Sequence, residues 1–255
     1  MALVLPCAAQ VMRQPMRLCG GTALSRFYLQ HRLSYDLDFF VAPDSGFNPQ
    51  TLAERIASSV PIFNLEISHD SVRADQLHFL VQIGQEPVRL SFVEDMYAAA
   101  FAPIPSGLSV AGIAIQTESV EGLYQRKLRT VVGWADSAAT APAGGRQTAR
   151  DLFDLFVLSQ TSLALRPFIE SLPYIFPLTA FEDGLANMRW FDLAAELSEL
   201  IAAPAWQSGL DIEVLQRHLY AQLDMTEVAP PDPPPDSLSG VVENTASDKP
   251  GTQQR

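Results

Sequence analysis

The segment Leu18-Cys19-Gly20-Gly21-Thr22-Ala23-Leu24, followed by His31-Arg32-Leu33-Ser34-Tyr35-Asp36-Leu37-Asp38-Phe39-Phe40, decides the fold of this chain. Its apolar start ends at two glycines, which predicts a strand over residues 16–19 that turns tightly into a helix over residues 22–30. The next apolar run predicts a strand over residues 35–41. Because side chains alternate along a strand, Asp36 and Asp38 are expected on one face of it.

The glycine turn suits an anionic ligand. Gly20 and Gly21 carry no side chains, so the backbone can approach a ligand closely, and the following helix offers free N–H groups to a phosphate. Thr22 adds a hydroxyl group near the start of that helix. The alternative is a purely structural turn that Thr22 caps.

The paired aspartates suit a divalent cation. Two carboxylates this close repel each other unless a cation neutralises them, and Mg²⁺ prefers oxygen ligands. The alternative is a solvated edge strand that carries two acids. Together with the glycine turn, the pair indicates a nucleoside triphosphate bound with Mg²⁺. Arg32 lies between the predicted helix and strand, where it can pair with a phosphate or form a surface ion pair.

Composition narrows the function classes. The 255 residues carry a formal net charge of −12, which argues against broad, nonspecific nucleic-acid binding. The basic residues nevertheless concentrate in two groups that folding can bring to one cleft: Arg13, Arg17, Arg26 and Arg32, and Arg126, Lys127, Arg129, Arg146 and Arg150. The two cysteines have no metal or redox spacing, which favours a reducing cytoplasm, and no apolar run is long enough to span a membrane.

The predicted fold class is α+β. A mixed α/β core over residues 1–117 is expected to precede a helical region over 118–225 that completes a cleft, and a proline-rich tail over 226–255 is expected to be disordered. Further strands are predicted over 62–68, 77–83, 88–93 and 113–116, and further helices over 48–59, 119–132, 148–160, 163–172, 187–202 and 211–223.

The motifs resemble those of the AbiEii/AbiGii-type nucleotidyltransferases, which are toxin components of toxin–antitoxin and phage-abortive systems with a minimal DNA-polymerase-β-like fold. The resemblance rests on Gly-Gly-Thr-Ala-Leu, on His-Arg-x-Ser-x-Asp-Leu-Asp-Phe-Phe, on a helical lysine at Lys127, and on Arg150-Asp151-x-x-Asp154-Leu155. It covers roughly residues 15–160 and continues more weakly to about 220.

The resemblance implies a role for each motif. Gly20, Gly21 and Thr22 would hold the triphosphate, with Arg32, Lys127 and Arg150 also placed at the nucleotide. Asp36 and Asp38 would bind Mg²⁺. Asp154 would orient the lysine or act near the acceptor. Lys127 has a solvated helix lysine as its alternative, and Asp151 has a structural role at the helix N-terminus as its alternative.

One position departs from the expected pattern. Sites of the polymerase-β type add a third carboxylate from a neighbouring strand, but the predicted strand Val88–Val93 has Ser91 there. Glu94, Asp95 or Glu66 are the acids that could substitute. A missing carboxylate would weaken activation of the attacking hydroxyl group and binding of a second metal ion.

The leading expectation is therefore a Mg²⁺-dependent nucleotidyltransferase toxin of the cytoplasm, with an RNA acceptor (transfer RNA as one class) or a protein acceptor and a cognate antitoxin. The first alternative, favoured by Ser91, is a degenerate module of the same fold that binds a nucleotide or partner without turnover. The second is an unrelated α/β interaction protein in which the two motifs are accidental.

Overall fold

A computed structural model describes residues 16–59, 65–66, 72–83, 86–95, 101–110, 113–132, 148–172 and 177–226. The tail predicted over 226–255 lies outside these residues except for Thr226. Of the strand predicted over 62–68, only Leu65 and Glu66 are described.

A seven-stranded mixed sheet forms the first half of the described chain. Its strands are β1 (Arg17–Cys19), β2 (Leu37–Val41), β3 (Leu65–Glu66), β4 (Gln76–Ile83), β5 (Glu86–Glu94), β6 (Ile104–Val110) and β7 (Ile113–Thr117). They are arranged in the order β3-β4-β5-β2-β1-β7-β6. Strand β2 therefore lies at the centre, antiparallel to β1 and parallel to β5.

Eight α-helical segments surround or extend the sheet in the described residues: α1 (Gly20–Ala23), α2 (Pro49–Ser59), α3 (Val120–Val132), α4 (Ala149–Thr161), α5 (Leu165–Glu170), α6 (Leu178–Ala186), α7 (Trp190–Ser198) and α8 (Ile212–Ala221). Helix α1 continues as a π-helix over Leu24–Leu29, and two 3-10 turns cover Pro43–Ser45 and Pro204–Leu210. The predicted α+β class, with a helical second half, is confirmed.

The alternation of side chains in β2 anchors the centre of the sheet. Phe39 and Val41 are fully buried on one face, where the Phe39 ring stacks on Phe92 of β5 with centroids 5.3 Å apart. Leu52 and Ile56 of α2 are buried in the same core. Burial of these large apolar side chains, each worth roughly 1.5–3 kcal/mol, fixes which face of β2 the aspartates can occupy.

Strand β2 begins two residues later than predicted, so Asp36 precedes the strand. The reason is that its neighbour β1 is short. Strand β1 ends at Cys19, opposite Asp38, and the chain then turns at Gly20, so β1 offers no partner to the residues before Asp38. The hydroxyl of Thr22 instead donates to the backbone carbonyl of Asp36. The segment before β2 is thereby held against the glycine turn.

Two elements were missed by the sequence patterns. Strand β6 contains Pro105 and Gly107, which weaken a strand signal but are tolerated because β6 is at the edge of the sheet. Helix α6 contains Gly184, which packs directly against Val131 of α3. The single helix predicted over 187–202 is the shorter α7, because the chain after Ser198 pairs with the loop at Arg32.

The helical region is joined to the loop that carries the second motif. The backbone N–H of Ala203 donates to the carbonyl of His31 at 2.7 Å, and Ala202 forms a β-bridge with Arg32. One continuous apolar core includes side chains from the sheet and from α3, α4 and α8. Within the described residues, no helix is both long and apolar enough to cross a membrane.

Candidate active site

A cavity of about 300 Å³ opens where the glycine turn, the start of β2 and helices α3 and α4 meet. It is lined by Gly20, Gly21, Arg32, Ser34, Asp36, Asp38, Gln76, His78, Arg89, Ser91, Lys127, Arg150 and Asp151. Four of these side chains are cationic by their type and three are carboxylates, in a chain whose net charge is −12. The cavity thus gathers positive charge in an acidic protein, as an anionic ligand requires.

The glycine turn approaches Asp38 so closely that no side chain fits. Gly20 has a φ of +71°, in the left-handed region, and a Cβ atom added there would lie 2.4 Å from Oδ2 of Asp38. At Gly21 an added Cβ would lie 2.4 Å from Nη2 of Arg32. Both predicted glycines are therefore required by contacts with site residues, and both line the cavity.

Thr22 shapes the turn from behind rather than facing the cavity. It is 4% exposed and absent from the cavity lining. Its hydroxyl group donates to the carbonyl of Asp36 and lies 2.9 Å from the hydroxyl of Ser34, which does line the cavity. Since that single proton goes to a carbonyl, the expected donation from the Thr22 hydroxyl to a phosphate does not fit this geometry.

Asp36 and Asp38 line one cavity, although only Asp38 is in the strand. The side chain of Asp36 is 38% exposed, and its Oδ2 atom lies 3.6 Å from Nη1 of Arg150 on α4. Arg150, also half-buried, lines the same cavity and supplies a counter-charge to one carboxylate. Two carboxylates that face one polar cavity are a donor set that suits Mg²⁺, which commonly binds through one or two carboxylates and substrate phosphates.

Asp154 is the buried anchor of the site. Its carboxylate is fully buried and accepts two hydrogen bonds from Arg32, Nε to Oδ1 at 2.6 Å and Nη2 to Oδ2 at 2.9 Å. Nε2 of His31 lies 2.6 Å from the same Oδ1. Arg32 thus makes its two-pronged contact with Asp154, whereas a contact with a phosphate was expected. Its Nη1 atom also donates to the carbonyl of Leu33, so two of the five N–H groups of the guanidinium remain for the cavity.

Lys127 is buried between two aspartates of α4. Its Nζ atom lies 2.5 Å from Oδ1 of Asp151 and 2.7 Å from Oδ2 of Asp154. The other oxygen of Asp151 accepts a hydrogen bond from the Thr148 hydroxyl at 2.7 Å. An ammonium group has three donors, so the third N–H of Lys127 is left for the cavity that the residue lines.

Of the two roles expected for Asp154, its contacts fit the orientation of the lysine. Asp154 contacts Lys127 and Arg32 and does not line the cavity, so its position does not suit a role at the acceptor. Asp151 pairs with Lys127 in addition to standing in the first turn of α4.

The ion pairs set the charges of this cluster. Burial by itself would raise the pKa of Asp154, but Lys127 and Arg32 hold that pKa well below its usual range. Burial would likewise lower the pKa of Lys127, whereas Asp151 and Asp154 raise it. Asp154 and Lys127 are therefore both charged across the neutral range, and Lys127 is held at the cavity wall.

Ser91 occupies the position expected for a third carboxylate. Strands β2 and β5 are in parallel register with Asp38 opposite Ser91, and β4 places His78 opposite Ser91 on the other side. Side chains of paired residues share a face, so Asp38, Ser91 and His78 form one row, and all three line the cavity. No group of three or more His, Cys, Asp or Glu side chains suited to a metal ion occurs in the described part of the chain.

The other acids considered for this position do not replace it. Asp95 is 2% exposed and bound by Nη2 of Arg17 at 2.9 Å and Nη2 of Arg126 at 2.6 Å. Glu94 pairs in register with Val41, three residues beyond Asp38 along β2, and is not among the lining residues. Glu66 is on β3, which β4 and β5 separate from β2.

Three lining residues were not anticipated: Gln76, His78 and Arg89. Gln76 and His78 are two residues apart on β4, and Nε2 of His78 lies 2.7 Å from Oε1 of Gln76. Polar residues at alternate positions in an otherwise apolar strand were the available signal. Burial and the nearby charge of Arg89 lower the pKa of His78, so its imidazole is neutral at pH 7.

A glycine turn, two aspartates at the start of a central strand and fixed cations around one cavity are the parts that a nucleotidyltransferase needs to hold a triphosphate with its metal. The comparison with protein families agrees: the model of the family "Nucleotidyl transferase AbiEii toxin, Type IV TA system" matches residues 4–226. The chain belongs to this family.

Two solved structures are similar to the chain at low sequence identity. One is a crystal structure of a candidate nucleotidyltransferase from H. pylori, with 18% identity and a TM-score of 0.48, covering 87% of this chain and 92% of that one. The other is JHP933 from Helicobacter pylori, with 18% identity and a TM-score of 0.46, covering 86% of this chain and 88% of that one. No curated protein sequence matches the chain significantly.

The buried cluster predicts a pH-dependent stability. Because the pKa of Asp154 is lowered by folding, its contribution is present above the unfolded pKa of about 3.9 and is lost as the pH falls through the lower folded value. Removing one partner of a buried ion pair costs about 3–5 kcal/mol. We therefore expect Asp154→Asn to lower the free energy of unfolding by about that amount at pH 7. At pH 3 the loss should be smaller by about 1 kcal/mol, because between about pH 3.9 and pH 3 only the unfolded carboxyl group takes up a proton (about 1.4 kcal/mol per pH unit).

The measurement is urea unfolding of the wild type and the variant across pH 3–8. Asp183→Asn, the same change at an exposed position of α6, is the control and should follow the wild-type curve. A gap between Asp154→Asn and the wild type that stays constant from pH 7 to pH 3 would contradict the ion-pair assignment.

Proposed function

We propose that this protein transfers a nucleotide from a nucleoside triphosphate to a hydroxyl group of an RNA or protein acceptor, with Mg²⁺ bound at Asp36 and Asp38. The observation that carries the proposal is the convergence of both carboxylates and the glycine turn on one cavity rich in cations. Membership of a type IV toxin–antitoxin family supports a role as a toxin with a cognate antitoxin.

The glycine turn and the cations are assigned to the triphosphate. Gly20 and Gly21 bring the backbone to the cavity without side chains in the way. Lys127 and Arg32, each fixed by Asp154, line the same cavity and present their remaining N–H groups to it. Because these cations are held in place before the ligand binds, little ordering is needed when it arrives.

We assign to Arg150 a change of partner, from Asp36 to the triphosphate, when the nucleotide binds. Its guanidinium is half-buried and lies 3.6 Å from Asp36, a separation at which the pair is weak. A cation at Asp36 and Asp38 would compete for this carboxylate and release Arg150 toward the triphosphate. Mg²⁺, when bound, would neutralise phosphate charge and polarise the phosphoryl group under attack.

The reaction assigned to this arrangement is an in-line displacement. The oxygen of the acceptor hydroxyl group attacks the α-phosphorus and gives up its proton to solvent. The bond between that phosphorus and the bridging oxygen breaks, and pyrophosphate leaves with both electrons of that bond. Lys127, Arg32 and Arg150 stabilise the charge on the phosphates, so the chain contributes by positioning and by electrostatics.

Ser91 favours a second candidate function. A site without a third carboxylate on the strand beside Asp38 could retain nucleotide binding and lack turnover. This candidate predicts stabilisation of the protein by a nucleoside triphosphate with Mg²⁺ but no transfer product.

A transfer assay separates the two functions. The protein is incubated with Mg²⁺, each of the four α-³²P-labelled triphosphates, total RNA and total protein. We expect labelled RNA or protein with the wild type, and a loss of at least 100-fold in rate with Asp38→Asn, because a metal ligand becomes a neutral amide (on the order of 3 kcal/mol or more in the barrier).

Asp183→Asn is the matched control and is expected to retain the wild-type rate, because Asp183 is exposed on α6 and outside the cavity. No label in any acceptor, together with triphosphate-dependent thermal stabilisation of the wild type, would favour the degenerate module. No label and no stabilisation would reject both functions.

Two alanine substitutions, one at Gly20 of the turn and one at the distant Gly107, test the role of the turn. Gly20→Ala introduces a Cβ atom 2.4 Å from Oδ2 of Asp38 at a positive φ, whereas Gly107→Ala has a φ of +75° but nothing within 4 Å of its added Cβ. Both variants should lose about 1–2 kcal/mol of stability from backbone strain. Only Gly20→Ala should weaken binding of the Mg²⁺–triphosphate complex, by about tenfold or more, measured by isothermal titration calorimetry.

Equal affinities of the two glycine variants for the complex would show that the turn does not shape the binding site. Their melting temperatures, measured without nucleotide, check that both variants are folded. Gly20→Ala should melt lower than Gly107→Ala, because Asp38 must also shift.

A further inference from the structure

The side of the cavity beside Asp38 is defined by a row across three strands. Asp38 of β2 is in register with Ser91 of β5, and Ser91 is in register with His78 of β4. Neighbouring strands are about 4.8 Å apart, so Ser91 is the side chain beside Asp38 and His78 is the next one along. All three line the cavity.

A second divalent cation would have to bind in this row. In two-metal sites the ions lie about 3.5–4 Å apart, and acidic side chains between and beside them offset their charge. Beside Asp38, the next residue in the row is Ser91, which is 2% exposed and carries a neutral hydroxyl group. A hydroxyl group offers a ligand oxygen without offsetting charge.

His78 does not supply the missing ligand. Its Nε2 atom is 2.7 Å from Oε1 of Gln76, and its Nδ1 atom is buried and has no hydrogen-bond partner in the described residues. An imidazole nitrogen carries no negative charge to offset that of a second cation, and Mg²⁺ prefers oxygen ligands. Arg89 also lines the cavity and adds a positive charge on the same side, which opposes a second cation.

The other carboxylates near the cavity are already bound. Asp151 lines it, but one of its oxygens pairs with Lys127 at 2.5 Å and the other accepts from Thr148 at 2.7 Å. Asp154 is fully buried beneath Lys127 and Arg32. Asp36 and Asp38 therefore remain as the carboxylates of the described lining that can serve a cation.

We propose that this site binds a single divalent cation together with its nucleotide, and that Ser91 is the residue that prevents a second cation from binding. The inference rests on the proposed function and specifies its metal requirement. It follows that the acceptor hydroxyl group would react without a cation of its own.

The test is the ratio of metal to nucleotide that the full chain retains. The protein is equilibrated with MnCl₂ and adenosine α,β-methylene triphosphate, with the guanosine, cytidine and uridine analogues in parallel. Ultrafiltration separates bound from free ligand, and elemental analysis and absorbance give bound Mn²⁺ and bound analogue. We expect one Mn²⁺ per analogue for the wild type.

Two variants at one position provide the matched comparison. Ser91→Asp restores a carboxylate beside Asp38 and should raise the ratio to two Mn²⁺ per analogue. Ser91→Asn introduces a side chain of the same size as aspartate but without its charge, and it should leave the ratio at one Mn²⁺ per analogue. Circular dichroism spectra confirm that each variant is folded, since Ser91 is buried.

The outcomes separate this inference from the proposed function. Two Mn²⁺ per analogue in the wild type would overturn the inference and leave nucleotidyl transfer intact. A folded, analogue-binding Ser91→Asp that still retains one Mn²⁺ would overturn the role of Ser91. Retention of neither Mn²⁺ nor any analogue by the wild type would reject the proposed function itself. If Ser91→Asp does not fold, the wild-type ratio alone decides.

Discussion

The carboxylate of Asp154 is the constraint on which the site depends. It is fully buried in α4, and it binds His31, Arg32 and Lys127 at 2.6 to 2.9 Å. These partners come from the loop before β2 and from α3, so one carboxylate joins the sheet to the helical region. A buried charge is costly unless it is paired, and here the pairing also fixes two cations at the wall of the cavity.

The ion pairs of Asp154 determine where positive charge lies around the cavity. Lys127 and Arg32 cannot retreat into solvent, because their partners are buried, so their unused N–H groups are directed by the ion pairs. At the glycine turn, Gly20 has no side chain and Asp38 occupies the space that a Cβ atom would take, while Arg32 does the same at Gly21. Under the proposed function, this arrangement binds an anion and a cation together, with the cationic side chains held in place beforehand.

The local parts of the site could be predicted from the sequence, and the distant contacts could not. Alternation in the apolar run placed Asp38 opposite the buried face of β2, and glycine chemistry predicted the turn. The pair between Arg32 and Asp154 joins residues 122 positions apart, and no local pattern predicts it. Arg32 was therefore expected at a phosphate. His78 and Arg89 reach the cavity only through the register of β4 and β5, which a single sequence does not specify.

The most direct test of the central claim is a crystal structure of the full chain with MnCl₂ and a non-hydrolysable nucleoside triphosphate, with anomalous diffraction data to locate manganese. The account predicts an anomalous peak between the carboxylates of Asp36 and Asp38, with the triphosphate against Gly20 and Gly21 and within hydrogen-bond distance of Lys127. Nucleotide bound elsewhere, or manganese away from both aspartates, would contradict it.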